Sequence, residues 1–162
     1  MYNSLNNSSS GDYGEYKRKV VNVNASTYSV LAKDSGSIYT IDVAGGCAVT
    51  LPAAEAGLEY EFHVGTTFTG TWSITAASSA DTYQGVVWTH DKDELGAVTA
   101  MNENIDTSAF NCPAAADYIL TADADTDGRF IGSHVKLTAI SDSKWLLSGN
   151  LFGDGTVTHI FS

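Results

Sequence analysis

Three aspartates at alternate positions, followed by a glycine, form the pattern in this chain that most resembles a ligand site. Asp123, Asp125 and Asp127 precede Gly128 with the spacing that opens an EF-hand calcium loop. That loop needs a bidentate glutamate at its twelfth position, which is His134 here. The sequence therefore disfavours an EF-hand and leaves two alternatives. One is an irregular calcium site on these carboxylates, and the favoured one is an acidic turn that enters a strand.

The other ionisable and nucleophilic residues form no catalytic pattern. No two of the four histidines are spaced as metal ligands on one element, and no serine lies in a GxSxG turn. Glu59 and Glu61 could act as an acid–base pair, but alternating carboxylates are also common on the wet face of a sheet. No glycine-rich phosphate loop is present. We predict that the protein is not an enzyme, with a carbohydrate-active β-sandwich as a remote alternative.

These two glutamates lie in the segment with the clearest secondary-structure signal, residues 58–64. Apolar and polar residues alternate there without interruption. Successive side chains of a strand point to opposite faces, so one face is dry and the other is wet. The expected inward residues are Leu58, Tyr60, Phe62 and Val64, and the expected outward residues are Glu59, Glu61 and His63.

The same alternation recurs between turn signals along the chain. Residues 37–43 and 47–51 flank a Gly-rich connection and are interpreted as a hairpin, as are residues 134–140 and 144–150. This spacing of short strands is typical of sandwiches and barrels. The sequence therefore predicts an all-β fold, an antiparallel β-sandwich of jelly-roll type.

Two regions depart from the strand pattern. Residues 1–18 are rich in Asn, Ser and Gly and are expected to form a flexible N-terminal arm. Residues 19–162 are expected to form one β-sandwich domain, in which residues 90–128 are a long acidic insertion or loop region.

The charge and composition exclude several classes of protein. The 162-residue chain has a formal net charge of −11 and only 8 Lys plus Arg, so we expect no nucleic-acid partner. No apolar stretch is long enough for a membrane span, and the polar N-terminus lacks the apolar core of a signal peptide. We therefore expect no membrane partner and synthesis in the cytoplasm.

The cysteines and tryptophans are expected to serve mainly in packing. Cys47 lies at an inward strand position and Cys112 in a loop; a bridge between them is left open but not favoured. Trp72 and Trp145 alternate with core positions, whereas Trp88 borders the acidic insertion and is the better contact residue.

Five segments of the chain form an ordered set of short motifs: Lys33–Asp42, Val49–Ala53, Ala56–Phe62, Val135–Ala139 and Trp145–Gly149. The first three carry the pattern DSG, Y, D, VTLPA and GL.Y.F. Taken in order, these segments resemble small β-rich virion proteins of tailed bacteriophages, including capsid decoration (cement) proteins and fibre-associated domains.

The resemblance implies a virion structural protein without a cofactor, located on the capsid exterior and made in the host cytoplasm. It implies a homotrimer that binds the major capsid protein and stabilises the shell by bridging capsomers. Lys17, Arg18 and Lys19, next to the N-terminal arm, are the expected capsid-docking residues.

A second function remains open: a host-receptor or glycan-binding module of a tail fibre or of the head exterior. Its expected contact surface contains Tyr83, Trp88 and the acidic insertion, with calcium at the three aspartates as a further option.

Overall fold

A computed structural model describes residues 17–91, 107–111, 117–122, 128–153 and 160–162. Short strands dominate these residues, as the alternating pattern predicts. Within them the longest helical segment is one 3-10 turn at Ala32–Asp34, and no helix is long and apolar enough to cross a membrane. The strands are β1 (Val20–Val23), β2 (Thr27–Ser29), β3 (Ser37–Ile41), β4 (Ala48–Thr50), β5 (Glu59–Val64), β6 (Trp72–Thr75), β7 (Thr82–Asp91), β8 (Thr107–Asn111), β9 (Ile119–Ala122), β10 (His134–Ser141) and β11 (Lys144–Gly153).

The strands form two sheets, and both sheets are mixed. The order is β1-β3-β5-β10-β11-β7-β8 in the seven-stranded sheet and β2-β4-β6-β9 in the four-stranded sheet. Neighbours are parallel for β1/β3, β3/β5 and β11/β7, and again for β2/β4 and β4/β6. The β-rich fold is therefore confirmed, but the expectation of antiparallel pairing throughout is wrong.

Four of these five parallel pairs, all except β11/β7, arise because the first six strands alternate between the two sheets. The odd-numbered strands β1, β3 and β5 stack in one sheet, and the even-numbered β2, β4 and β6 stack in the other. The chain thus completes three windings, each of which gives one strand to each sheet. Parallel strands need such a long return path, since a tight turn joins only antiparallel neighbours.

The windings stack apolar side chains in columns that run through the core. Val23 lies beside Ile41, which lies beside Val64, and all three are buried. Val49 and Ile74 pair in the same way in the other sheet. Side chains of both sheets belong to one hydrophobic core.

Direct contacts join the two sheets. Tyr28 of β2 packs edge-on against Tyr39 of β3, with ring centroids 5.7 Å apart. The buried Tyr83 hydroxyl on β7 donates a hydrogen bond to the Ile74 carbonyl on β6, at 3.0 Å. Trp72 and Trp145 are buried, as their spacing predicts.

The expected first hairpin, residues 37–43 with 47–51, is wrong. The Gly46 amide donates to the Val43 carbonyl at 2.9 Å, and this turn carries the chain into the other sheet. There the Ala48 amide donates to the Ser26 carbonyl, also at 2.9 Å. The connection is thus a crossover between sheets. The second hairpin is confirmed, because β10 and β11 pair antiparallel.

Residues 90–128 are not a loop throughout, in contrast to the sequence interpretation. β8 pairs antiparallel with β7, and β9 pairs antiparallel with β6, so this region adds a strand to each sheet. Near the C-terminus, Phe161 bridges Leu120 of β9, and the amide of Ser162 donates to the Ile119 carbonyl at 3.0 Å. Residues 160–162 therefore pair with β9 of the four-stranded sheet.

Candidate functional site

The outer face of the seven-stranded sheet brings polar side chains from distant segments into registered rows. One row crosses four strands: His63 on β5 lies opposite His134 on β10, which lies opposite Asn150 on β11. Asn150 in turn lies opposite Trp88 on β7. The two imidazole rings stack, with centroids 5.6 Å apart and an angle of 19° between the planes. The outward-facing side chains of β5 thus form one surface with the outward-facing side chains of β10, β11 and β7.

The next row along the same strands carries the charged groups. Lys136 on β10 lies opposite Glu61 on one side and Ser148 on the other, and Ser148 lies opposite Val86 on β7. The Lys136 ammonium group reaches Glu59 instead, with Nζ 3.0 Å from Oε2. Lys136 is therefore paired with a carboxylate of the neighbouring strand β5.

Glu61 is the most constrained of these carboxylates. One of its oxygens accepts a hydrogen bond from the Arg18 guanidinium, and the other accepts one from His63 Nε2 at 2.7 Å. Burial raises the pKa of Glu61, but the hydrogen bonds from Arg18 and His63 and the charges of these groups outweigh it and leave the pKa below its usual value. Glu61 therefore lies at the centre of a fixed ionic cluster.

These rows line an open cleft on the sheet surface with a volume of about 440 Å³. A cleft of this size lies within the range of pockets that hold small ligands, about 300–1,000 Å³. Its lining combines one indole, one amide, one hydroxyl, one imidazole and two opposite charges. The polar and aromatic residues are Glu61, Trp88, His134, Lys136, Ser148 and Asn150.

The amide of Asn150 is oriented by a neighbour outside the cleft lining. His90 Nε2 and Asn150 Oδ1 are 3.2 Å apart, and an Nε2–H tautomer donates this bond. His90 itself stacks on Phe152, with ring centroids 5.0 Å apart. Because the amide oxygen accepts this bond, the two N–H donors of the Asn150 amide are not used in it.

The structure places the two expected contact aromatics on opposite faces of β7. Trp88 is 46% exposed and lines the cleft. Tyr83 is fully buried, with its hydroxyl bonded inside the core, so the expectation that it contributes to a contact surface is wrong. The two residues are five positions apart, and an odd difference in position on a strand reverses the face. The sequence thus contained the signal that excludes one of them.

Two of the three expected docking residues interact with acids of this chain. Arg18 contacts Glu61, and its Nε donates to the Gly36 carbonyl at 2.8 Å. Lys19 Nζ lies 2.6 Å from Asp34 Oδ1. These contacts connect the residues next to β1 to both of the following windings. Residues 1–16 of the predicted arm lie outside the described residues, whereas Lys17 and Arg18 belong to the described part.

The predicted calcium ligands Asp123, Asp125 and Asp127 also lie outside the described residues, as does Cys112. Within the described ranges, no group of three or more His, Cys, Asp or Glu side chains is arranged to hold a metal ion. Cys47 is buried, as its inward position predicts, and burial raises the pKa of its thiol.

Sequence reasoning did not find the cleft itself. Its residues come from β5, β7, β10 and β11, and only the register between strands brings them together. No protein family matches the chain, and neither a curated protein nor a solved structure shows significant similarity to it.

Proposed function

We propose that this protein is a structural component of a tailed-bacteriophage virion, and specifically a capsid decoration protein. In this role a homotrimer binds the major capsid protein on the outside of the head and stabilises the shell by bridging capsomers. The proposal requires no catalytic group and no cofactor. It requires a rigid body with surfaces for association.

One observation supports this function more than any other. The segments whose sequence resembles phage virion proteins are far apart in the chain, yet they supply β3, β5, β10 and β11, which are consecutive neighbours in one sheet. A fifth segment, Val49–Ala53, begins in β4 of the other sheet. Four of the five segments therefore fall on one continuous part of the seven-stranded sheet. This grouping favours a fold shared with phage virion proteins over unrelated short matches in sequence.

We also propose that the two sheets form a β-sandwich. The shared core and the contact of Tyr28 with Tyr39 support this arrangement. A fully antiparallel jelly-roll path does not accommodate the parallel neighbours β1, β3 and β5.

This fold offers surfaces that suit the association of three copies of the chain. The edge strands of the two sheets include β1 and β2, which both belong to the first winding. An edge strand presents unpaired N–H and C=O groups that can pair with another chain. Three linked copies would also strengthen a weak capsid footprint through avidity. Lys17, Arg18 and Lys19 adjoin this same winding and are the proposed capsid-docking residues.

Immunogold electron microscopy of phage particles, with antibodies raised against the recombinant chain, tests this function. We expect labels over the whole head. Labels confined to the tail, or particles without label, would overturn the decoration role. Light scattering on the purified protein tests the oligomeric state separately, and we expect the mass of three 17.1-kDa chains.

A second candidate function is host-receptor binding from a tail fibre or from the head exterior. It is favoured by the exposure of Trp88 at a polar cleft. Labelling at the tail tip or fibres in the same experiment would favour it over decoration.

A further inference from the structure

The cleft on the outer sheet face has the chemical character of a sugar-binding site. Trp88, the large aromatic among the described lining residues, is 46% exposed on the outward face of the long strand β7, whereas Val87 and Thr89 on either side point inward and are buried. An indole has a broad apolar surface and gains free energy when a ligand covers it. The exposed indole therefore marks the point at which a ligand with an apolar face would bind.

The groups around Trp88 match a ligand that both donates and accepts hydrogen bonds. Asn150, directly across from Trp88, lines the cleft; its amide oxygen accepts a hydrogen bond from His90, and its amide nitrogen carries two further N–H donors. Ser148 offers a hydroxyl, and Glu61 offers carboxylate lone pairs fixed in place by Arg18. Sugar hydroxyls make both kinds of bond, and the C–H face of a pyranose ring packs on an indole.

The charges of the cleft favour an uncharged ligand. Glu61 and Lys136 have opposite signs, and both are already paired, with Arg18 and with Glu59. The chain carries a net charge of −11, which repels polyanions at long range. An anionic polymer would therefore meet neither a basic lining nor a favourable field.

The position of the cleft argues against a peptide as the ligand. It lies on the face of the sheet between paired strands, so an extended peptide has no open strand edge there with which to pair. Among the described residues, the cleft is open and polar Asn150 lies directly across from Trp88, so this lining does not form the deep apolar pocket that anchors a peptide side chain.

We propose that this cleft binds a neutral pyranose-containing saccharide, with Trp88 as the stacking platform and Asn150, Ser148 and Glu61 as the hydrogen-bonding groups. This inference deepens the second candidate function, because it names the ligand class and the residues. The inference also applies to a protein on the phage head, because a decoration protein exposes one face to the surroundings.

A glycan array probed with the full-length protein, followed by titration of the best neutral glycan, tests the inference. Trp72 and Trp145 are buried, so the change in tryptophan fluorescence on binding should come from Trp88. We expect Trp88→Ala to raise the Kd by about tenfold or more, and Trp88→Phe to retain part of the affinity. The matched control is Leu146→Ala, which removes an exposed apolar residue of the same sheet face outside the cleft lining and should leave the Kd unchanged.

Failure to bind any neutral glycan would overturn the inference, as would equal affinities of Trp88→Ala and the original protein. Preferential binding of acidic glycans would also overturn it. These outcomes leave the immunogold result on the particle untouched, so a failed sugar site and a failed decoration role can be told apart.

Discussion

Tyr39 and Phe62 stack across the parallel strands β3 and β5, with ring centroids 5.1 Å apart and an angle of 19° between the planes. Both rings are fully buried, and Tyr39 also contacts Tyr28 of the other sheet. The pair thus links two successive windings to each other and to the opposite sheet. The stability of the fold should depend strongly on this contact.

The first prediction is that Phe62→Ala lowers the free energy of unfolding by about 3–5 kcal/mol, because it removes a buried ring and leaves a cavity. Urea unfolding followed by circular dichroism measures this change. Ile131→Ala is the control, since Ile131 is 65% exposed, and we expect a change within about 0.5 kcal/mol. A similar small change for both variants would contradict the placement of Phe62 in the core.

The second prediction concerns two glycines with the same backbone conformation. Gly46 and Gly57 both have a φ of 97°, in the left-handed region that disfavours side chains. A Cβ on Gly46 would lie 2.0 Å from the Thr71 carbonyl oxygen, whereas a Cβ on Gly57 would meet nothing within 4 Å.

We therefore expect Gly57→Ala to destabilise by about 1–2 kcal/mol, from backbone strain alone. Gly46→Ala should destabilise by several kcal/mol more, because the backbone of Thr71 must also move. Thermal and urea unfolding of the two variants, side by side, measures the difference. Equal losses of stability would show that the close approach of Gly46 to Thr71 is absent.

The connection at Gly46 also explains why the sequence predicts individual strands better than it predicts which strands pair with each other. Alternation is a local signal, so it identified the strand around Phe62 and the β10/β11 hairpin. The Gly45-Gly46 connection resembles a hairpin turn in sequence, but the two strands that it joins belong to different sheets. Their partners lie one winding away, and no local rule specifies such contacts.

A clue to the windings was nevertheless present in the sequence. Apolar residues two apart recur in the first, third and fifth strands, as in Tyr39 with Ile41 and Phe62 with Val64. Val20 lies opposite Ile38, which in turn lies opposite Glu61. The number of residues from one position to the equivalent position in the next winding differs between these two steps, so the repeats have unequal lengths. Stacked repeats are normally found by a constant period. The unequal insertions hide this repeat.

The third prediction is a pH effect at Glu61. Its pKa is lower in the folded protein than its ordinary value of 4.5, so the ionised form stabilises the fold. This contribution is fully present above the unfolded-state pKa and is lost as the pH falls through the lower folded-state pKa. Glu61→Gln should therefore lose less stability than the original protein when the pH is lowered below about 4.5.

The control for this effect is Glu55→Gln, which removes an exposed carboxylate elsewhere and leaves the bonds from Arg18 and His63 to Glu61 intact. Urea unfolding as a function of pH compares the three proteins. An unchanged acid dependence in Glu61→Gln would mean that the ionic cluster does not contribute to folding in solution.

The fourth prediction separates folding from capsid docking among the basic residues beside β1. The Arg18 side chain is 30% exposed and bonds both Glu61 and the Gly36 carbonyl, so Arg18→Ala should destabilise the fold by about 1–3 kcal/mol. The Lys19 side chain is 57% exposed, and exposed ion pairs such as that with Asp34 contribute little, so Lys19→Ala should leave stability within about 0.5 kcal/mol.

Lys19→Ala is therefore the variant that tests docking, because its fold is preserved. If Lys19 docks on the capsid, this variant should bind decoration-free phage heads more weakly than the original protein in a co-sedimentation assay, and the difference should shrink at high salt. Lys33→Ala, which removes another exposed lysine from the 3-10 turn near Lys19, controls for net charge. Equal binding of the Lys19 and Lys33 variants and the original protein would remove Lys19 from the docking surface, and the role of this segment would then be to hold the first winding in place.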